Sequence, residues 1–217
     1  MSPVDAPRWL RALAAVVGAA LLAAGCGAAG DGDGADRTLQ GVRREPPLEV
    51  AQVTLPDVTA GGEDFTTTGR DGGLLLVYFG YTSCPDICPT TMSDLARAIE
   101  ELPAHLARRV EVAMVTVDPE RDTAAVLDGY LAHFFDGTRR HALRTDDADR
   151  LEEAKRAFGV RAQIEAHEPG DDDYDVSHTA VTYAVDDSGT VVVEWPFGTT
   201  PDAIRSDLVT LLEEGSP

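Results

Sequence analysis

The sequence predicts an α/β fold, a three-layer sandwich around a mixed central sheet. Three observations point there. Leu74 to Phe79 (LLLVYF) is a continuous apolar run, as expected of a strand buried on both faces. Strand-like runs then alternate with amphipathic helical stretches, which implies helices on both sides of the sheet. The chain closes with two strands joined by a tight turn and a last helix.

Each element has its own signal. Thr90 to Leu102 carries Met92, Leu95, Ile99 and Leu102 at helical spacing, and Pro103 stops it. Pro89 in the interior of a helix would clash with the Pro85 carbonyl, so the helix is expected to begin near Pro89 or Thr90. Val110 to Val117 (VEVAMVTV) reads as the second strand. Asp122 or Thr123 caps the next helix, with Val126, Leu127, Tyr130, Leu131, Phe134 and Phe135 as its inner face. His141 to Arg144 is a short strand. Thr145 is expected to cap a helix through Phe158, with Leu151, Ala154 and Phe158 inward. Thr179 to Val185 and Thr190 to Trp195 are strands joined by Asp186-Asp187-Ser188-Gly189. Thr200 and Pro201 start the last helix, which points Ile204, Leu208, Leu211 and Leu212 inward. The order β-α-β-α-β-α-β-β-α, ending in hairpin plus helix, is how a thioredoxin-like sheet closes.

Composition sets the class of partner. The 217 residues include 38 acidic and 18 basic side chains, a formal charge of -20. That balance argues against nucleic acid and against an anionic membrane surface as the main partner. Apolar content of 43% with 26% charged is that of a globular domain.

The first stretch is an address. Arg8 and Arg11 precede Ala12 to Ala24, a run of 13 uncharged residues, the length of a signal-peptide core and short for a spanning helix. It leads into Ala23-Ala24-Gly25-Cys26, which looks like a bacterial lipobox, with Ala23 where leucine is usual. Residues 1–25 are therefore expected to be removed and Cys26 lipidated, anchoring the protein on the extracytoplasmic face of the membrane. Residues 26–47, rich in Gly, Asp and Pro, are expected as a flexible tether, and 48–217 as the domain.

The chemistry-bearing residues are two cysteines in Gly80-Tyr81-Thr82-Ser83-Cys84-Pro85-Asp86-Ile87-Cys88-Pro89, at a strand-to-helix junction. Free N–H groups and the dipole at a helix N-terminus stabilise thiolate. Cys84 and Cys88 stand one helical turn apart, with Cβ atoms roughly 5–6 Å from each other if helical. That spacing suits two thiolates closing on one metal ion, or a reversible disulfide after a small loop adjustment.

GYTSCPDICPTTMSDL, VTVDPERDTAAVLDGYLAHF and VSHTAVTYAVDDSG, in that order, resemble the Sco/SenC family of copper-handling thioredoxin-fold proteins over roughly residues 50–213. The resemblance implies a copper site formed by Cys84, Cys88 and His178, with Asp118 as a supporting residue that tunes His178 or docks a partner. Two thiolates and an imidazole suit Cu(I) and can hold Cu(II). The residues alone leave zinc open, because zinc accepts the same set with a water. The implied function is a copper metallochaperone for the binuclear copper site of a haem-copper oxidase. Oxidase subunit II, an extracytoplasmic copper donor and a thiol reductant are the implied partners. The alternative is a thiol-disulfide reductase, with Cys84 attacking and Cys88 resolving.

Other candidates have weaker signals. Glu120, Arg121 and Asp122 are expected as turn and helix cap, with Asp122 capping and Arg121 pairing with a carboxylate. Asp171 to Asp175 is expected as a solvated acidic loop, and His167 as a surface histidine or a weak secondary ligand. His105, His133 and His141 lack a partner motif. Met92 and Met114 fall on buried faces, and Tyr81 and Trp195 are expected as packing.

Overall fold

A computed structural model describes residues 38–168 and 170–214. Among these described residues, nine strands and five α-helices follow the expected order, with additions at both flanks of the sheet. The strands are β1 (Thr54–Asp57), β2 (Glu63–Thr66), β3 (Leu74–Gly80), β4 (Val110–Thr116), β5 (Arg139–Leu143), β6 (Ala162–Ile164), β7 (Val176–His178), β8 (Val181–Val185) and β9 (Val191–Pro196). The helices are α1 (Ile87–Glu100), α2 (Ala104–Ala107), α3 (Ala124–Phe134), α4 (Ala148–Phe158) and α5 (Pro201–Glu214).

Seven strands form one sheet in the order β2-β1-β5-β4-β3-β8-β9. β3 runs parallel to β4 and antiparallel to β8, so the sheet is mixed as predicted. All seven residues of β3 and all seven of β4 are buried. Alternate residues of β3 serve opposite faces. Phe79 meets Phe158 of α4, centroids 5.2 Å apart, while Tyr78 reaches Cys88 of α1 on the other face. α5 packs beside α1. Each fully buried Leu or Phe in this layer stabilises the fold by ~1.5–3 kcal/mol.

The β8–β9 turn is the one the sequence announces. Asp186 accepts hydrogen bonds from the Ser188 and Thr190 N–H groups, and Gly189 takes a φ of 84°. The space of a Cβ at Gly189 is held by the Ala51 backbone, 2.7 Å away. α3 is capped by Thr123, whose hydroxyl oxygen accepts from the Val126 N–H. Its inner face is narrower than expected: Leu127 and Leu131 are buried, but Val126 is 45% exposed. α4 is capped by Asp147, not Thr145, and Thr145 instead accepts from the Asp147 N–H one turn earlier.

Four features were not expected, among them α2 and the separate two-stranded sheet of β6 and β7. The hairpin β1–β2 extends the sheet beyond β5. Residues 38–47, expected as part of the tether, lie on the folded unit, which begins at Thr38. Val42 exchanges backbone hydrogen bonds with Glu194, Arg44 pairs with the Glu194 carboxylate at 2.7 Å, and the Gln40 and Gly41 N–H groups donate to buried Asp207. Asp207 also accepts from the Trp195 indole, so that tryptophan bonds as well as packs. The signal segment, Cys26 and residues 27–37 lie outside the described residues.

Candidate metal centre

Cys84 precedes α1 and Cys88 lies within its first turn. The helix starts at Ile87, earlier than expected, because Pro89 is its third residue. The first four N–H groups of a helix lack intrahelical partners, so a missing one there costs little. Asp86, at the N-cap, gives no side-chain cap. Instead the Cys88 N–H donates to Cys84 Sγ at 3.3 Å, so the sulfur takes a position where the helix end favours negative charge. Cys84 is 8% exposed and Cys88 is fully enclosed. Burial pushes the Cys88 thiol up to about 12, against opposing hydrogen bonds from the Tyr81 backbone and Tyr78.

His178 arrives from the other side. It ends β7, which pairs with β6 as a small separate sheet that carries the loop to the cysteines. Its Nδ1 lies 3.1 Å from the Thr179 carbonyl, an acceptor, so Nδ1 carries the proton. Nε2 then faces Cys88 Sγ, 3.4 Å away. Burial lowers the imidazole's affinity for a second proton. The donor atoms of Cys84, Cys88 and His178 all lie within 4.8 Å of one another, the one such group found among the described residues. Two sulfurs and one neutral imidazole nitrogen form a soft donor set that fits copper.

A cavity of about 400 Å³ opens over this cluster, lined by Tyr81, Cys84, Pro85, Ile87, Val176 and His178 among others. The Tyr81 hydroxyl donates to the Val176 carbonyl, and its ring meets the His178 imidazole edge-on, so it does more than pack.

Two carboxylates hold the loops. Asp118 is fully buried but does not contact His178. It accepts from the Tyr174 hydroxyl at 2.7 Å and from Arg121 Nε at 2.5 Å. Arg121 stacks over the Tyr174 ring at 3.7 Å and donates to the carbonyls of Asp172 and Tyr174. Arg121 pairs with a carboxylate as expected, and Asp118 and Arg121 together fasten the segment that leads into His178. Asp122 does not cap α3. It is buried and accepts from the Thr82 N–H, the Thr82 hydroxyl and the Thr116 hydroxyl. Burial pushes its carboxyl up, and these hydrogen bonds oppose the shift.

The remaining candidates fall elsewhere. His167 lies outside the Cys84, Cys88 and His178 group and stacks on Tyr174 with centroids 3.7 Å apart. Asp171, Asp172, Asp173 and Asp175 are exposed, as expected of a solvated loop, while Tyr174 among them is buried. His141 has partners the sequence did not signal. It bonds Asp57 at 2.8 Å and faces Glu111 at 3.8 Å, on the β1–β5 flank of the sheet. Met92 and Met114 are buried as expected.

Comparison with known proteins agrees with this arrangement. A family model described as SCO1/SenC matches residues 54–213. An SCO2-like protein of Rickettsia felis is 33% identical over 154 residues, which cover 70% of this chain and 72% of the relative. The solution structure of apo Sco1 from Thermus thermophilus aligns with a TM-score of 0.66 at 34% identity, covering 83% of this chain and 99% of that one. Bradyrhizobium japonicum ScoI, solved with copper bound, aligns with a TM-score of 0.60 at 29% identity, covering 79% of this chain and 98% of that one. With its thioredoxin-like fold and the match spanning nearly all of the folded domain, this chain belongs to the SCO1/SenC family.

Proposed function

We propose that this protein is a copper metallochaperone that takes up one copper ion through Cys84, Cys88 and His178 and passes it to a haem-copper oxidase. The observation that carries the reading is the convergence of two sulfurs and one imidazole nitrogen within 4.8 Å. The copper-bound Sco relative supports the choice of metal. Oxidase subunit II is the proposed recipient, an extracytoplasmic copper donor the source, and a thiol reductant the agent that keeps the pair ready. The cavity over Cys84 gives a partner access to the more exposed sulfur. Cys26 is proposed as the lipid anchor on the extracytoplasmic face.

A second reading is favoured by the unequal cysteines. Cys84 sits at the cavity and receives a backbone N–H, while Cys88 is enclosed and held as the thiol. That asymmetry suits a thiol-disulfide reductase in which Cys84 attacks and Cys88 resolves. Copper titration of the reduced protein, set beside its disulfide potential, separates the two. Tight one-to-one copper binding supports the chaperone. Weak binding with a mid-range potential supports the reductase.

A further inference from the structure

Tyr78 stands at the site without belonging to the ligand set. It lies on β3, is 1% exposed, and points to the face that α1 covers. Its hydroxyl is 3.6 Å from Cys88 Sγ in donor geometry. The edge of its ring meets the His178 imidazole, centroids 5.8 Å apart and planes at 86°. One phenol therefore touches two of the three donor side chains, the sulfur by a hydrogen bond and the imidazole by ring contact.

The neighbouring sequence makes room for this contact. Gly80 is two residues along β3 and on the same face. A Cβ there would come within 2.6 Å of Tyr78 Cε1 and 3.0 Å of Cys88 Sγ. A phenylalanine would fill the space of the Tyr78 ring equally well. A buried hydroxyl costs free energy unless it is bonded, and this one is aimed at sulfur.

We propose that Tyr78 is a positioning residue for the dithiol: its hydroxyl stabilises the reduced sulfur of Cys88, and its ring holds the His178 imidazole toward the pair. The contact is made to the free Cys88 sulfur in the reduced protein, and a sulfur bonded to a second sulfur is the poorer acceptor, so this hydrogen bond favours the reduced pair over the disulfide. Loss of the hydroxyl shifts the Cys84–Cys88 couple toward the disulfide. In that couple the two thiols give two electrons and two protons to glutathione disulfide. The Cys84–Cys88 bond forms as the glutathione S–S bond breaks, leaving two glutathione thiols.

The test compares wild type, Tyr78→Phe and Tyr183→Phe as full-length, metal-free chains in detergent, equilibrated in glutathione redox buffers. Tyr183 is a buried tyrosine packed on Phe158 of α4, on the far face, and serves as the control for loss of a phenol. Tyr78→Phe is expected to move the equilibrium about three- to tenfold toward the disulfide, or ~15–30 mV lower in potential at 29.6 mV per tenfold. Tyr183→Phe should keep the wild-type value. Gly80→Ala, which wedges Tyr78 from Cys88 while keeping the phenol, should shift in the same direction. A folded Tyr78→Phe with the wild-type constant overturns the assignment, and so does an equal shift in Tyr183→Phe. If Tyr78→Phe does not fold, a wild-type constant in Gly80→Ala overturns it. The metal half rests on the proposed function: with copper(II) sulfate, the thiolate absorption band of Tyr78→Phe should move to lower energy. The metal-free equilibrium stands whether or not the chain takes up copper, so failure of one reading is distinguishable from failure of the other.

Discussion

The Asp122 carboxylate receives both the backbone N–H and the hydroxyl of Thr82, at 3.1 and 2.6 Å. Thr82 lies two residues before Cys84, and Asp122 also holds Thr116 at the end of β4. One side chain therefore ties the cysteine loop to the sheet. Asp122→Ala leaves three donors without their acceptor, one buried on Thr116 and two half-buried on Thr82. The expected cost is ~2–4 kcal/mol in urea unfolding, with weaker copper binding in the fraction that remains folded. Unchanged stability would mean that the loop is held by other contacts.

His178→Ala should leave the domain folded, because the side chain is partly exposed and lies outside the main core. Copper affinity should fall by at least ~100-fold, more than loss of a supporting residue costs, and the Cu(II)-thiolate absorption should change. Cys84→Ala and Cys88→Ala should each abolish tight binding, since one thiolate and one imidazole compete poorly with chelators. Competition titration checks all three. An unchanged spectrum in His178→Ala would remove it from the ligand set.

The central fold was legible because its signals are local. β3 is apolar at six successive positions, and the β8–β9 turn carries its own Asp and Gly. The additions were hidden for a physical reason. β2 (EDFT) has no buried residue and no alternation, and β6 is only three residues long with two of them exposed, so neither gives a strand signal. Residues 38–47 are held by backbone hydrogen bonds and one ion pair, which leave no apolar pattern. At the site, the cysteine spacing was legible and His178 came through family resemblance. Asp122 looks like a cap from sequence because its partner Thr82 is 40 residues away. The composition around Glu111 and His141 likewise gave no hint that β4 and β5 bring them together.

That pair predicts a pH dependence. Burial pushes the Glu111 carboxyl up, but His141, then Arg139 and Arg70, outweigh it and hold the group below the usual glutamate range. A carboxylate whose pKa is depressed in the folded state adds stability above its unfolded pKa. That stability is lost as pH falls through the folded value. Wild type should therefore lose stability in acid more steeply than Glu111→Gln, measured as the urea midpoint on either side of the glutamate range. Parallel curves would show that the pair is not linked to folding.

Cys26→Ser should release the protein from membranes or block its processing, because acylation requires that thiol. Copper binding should not change, because the folded unit begins twelve residues later, at Thr38. Membrane fractionation decides: a Cys26→Ser protein that still partitions fully with membranes would defeat the lipid anchor.

Redox state should gate copper uptake. Cys84 and Cys88 have the sequence spacing and the proximity to form a disulfide, and their sulfurs lie within 4.8 Å. Disulfide formation needs the sulfurs at ~2.05 Å, so Cys84, the one outside the helix, must move. The same electron pairs cannot serve both the sulfur–sulfur bond and two thiolate ligands. In an oxidising compartment the empty protein is therefore inactive until a reductant restores the thiols, and bound copper should protect them from alkylation. The measurement uses reduced and oxidised protein, each confirmed by thiol counting and titrated with Cu(I) against a competing chelator. The reduced form should bind one equivalent tightly, and the oxidised form should leave the metal with the chelator. Equal affinity in the two forms would exclude Cys84 and Cys88 as the ligands and leave their disulfide a structural bond.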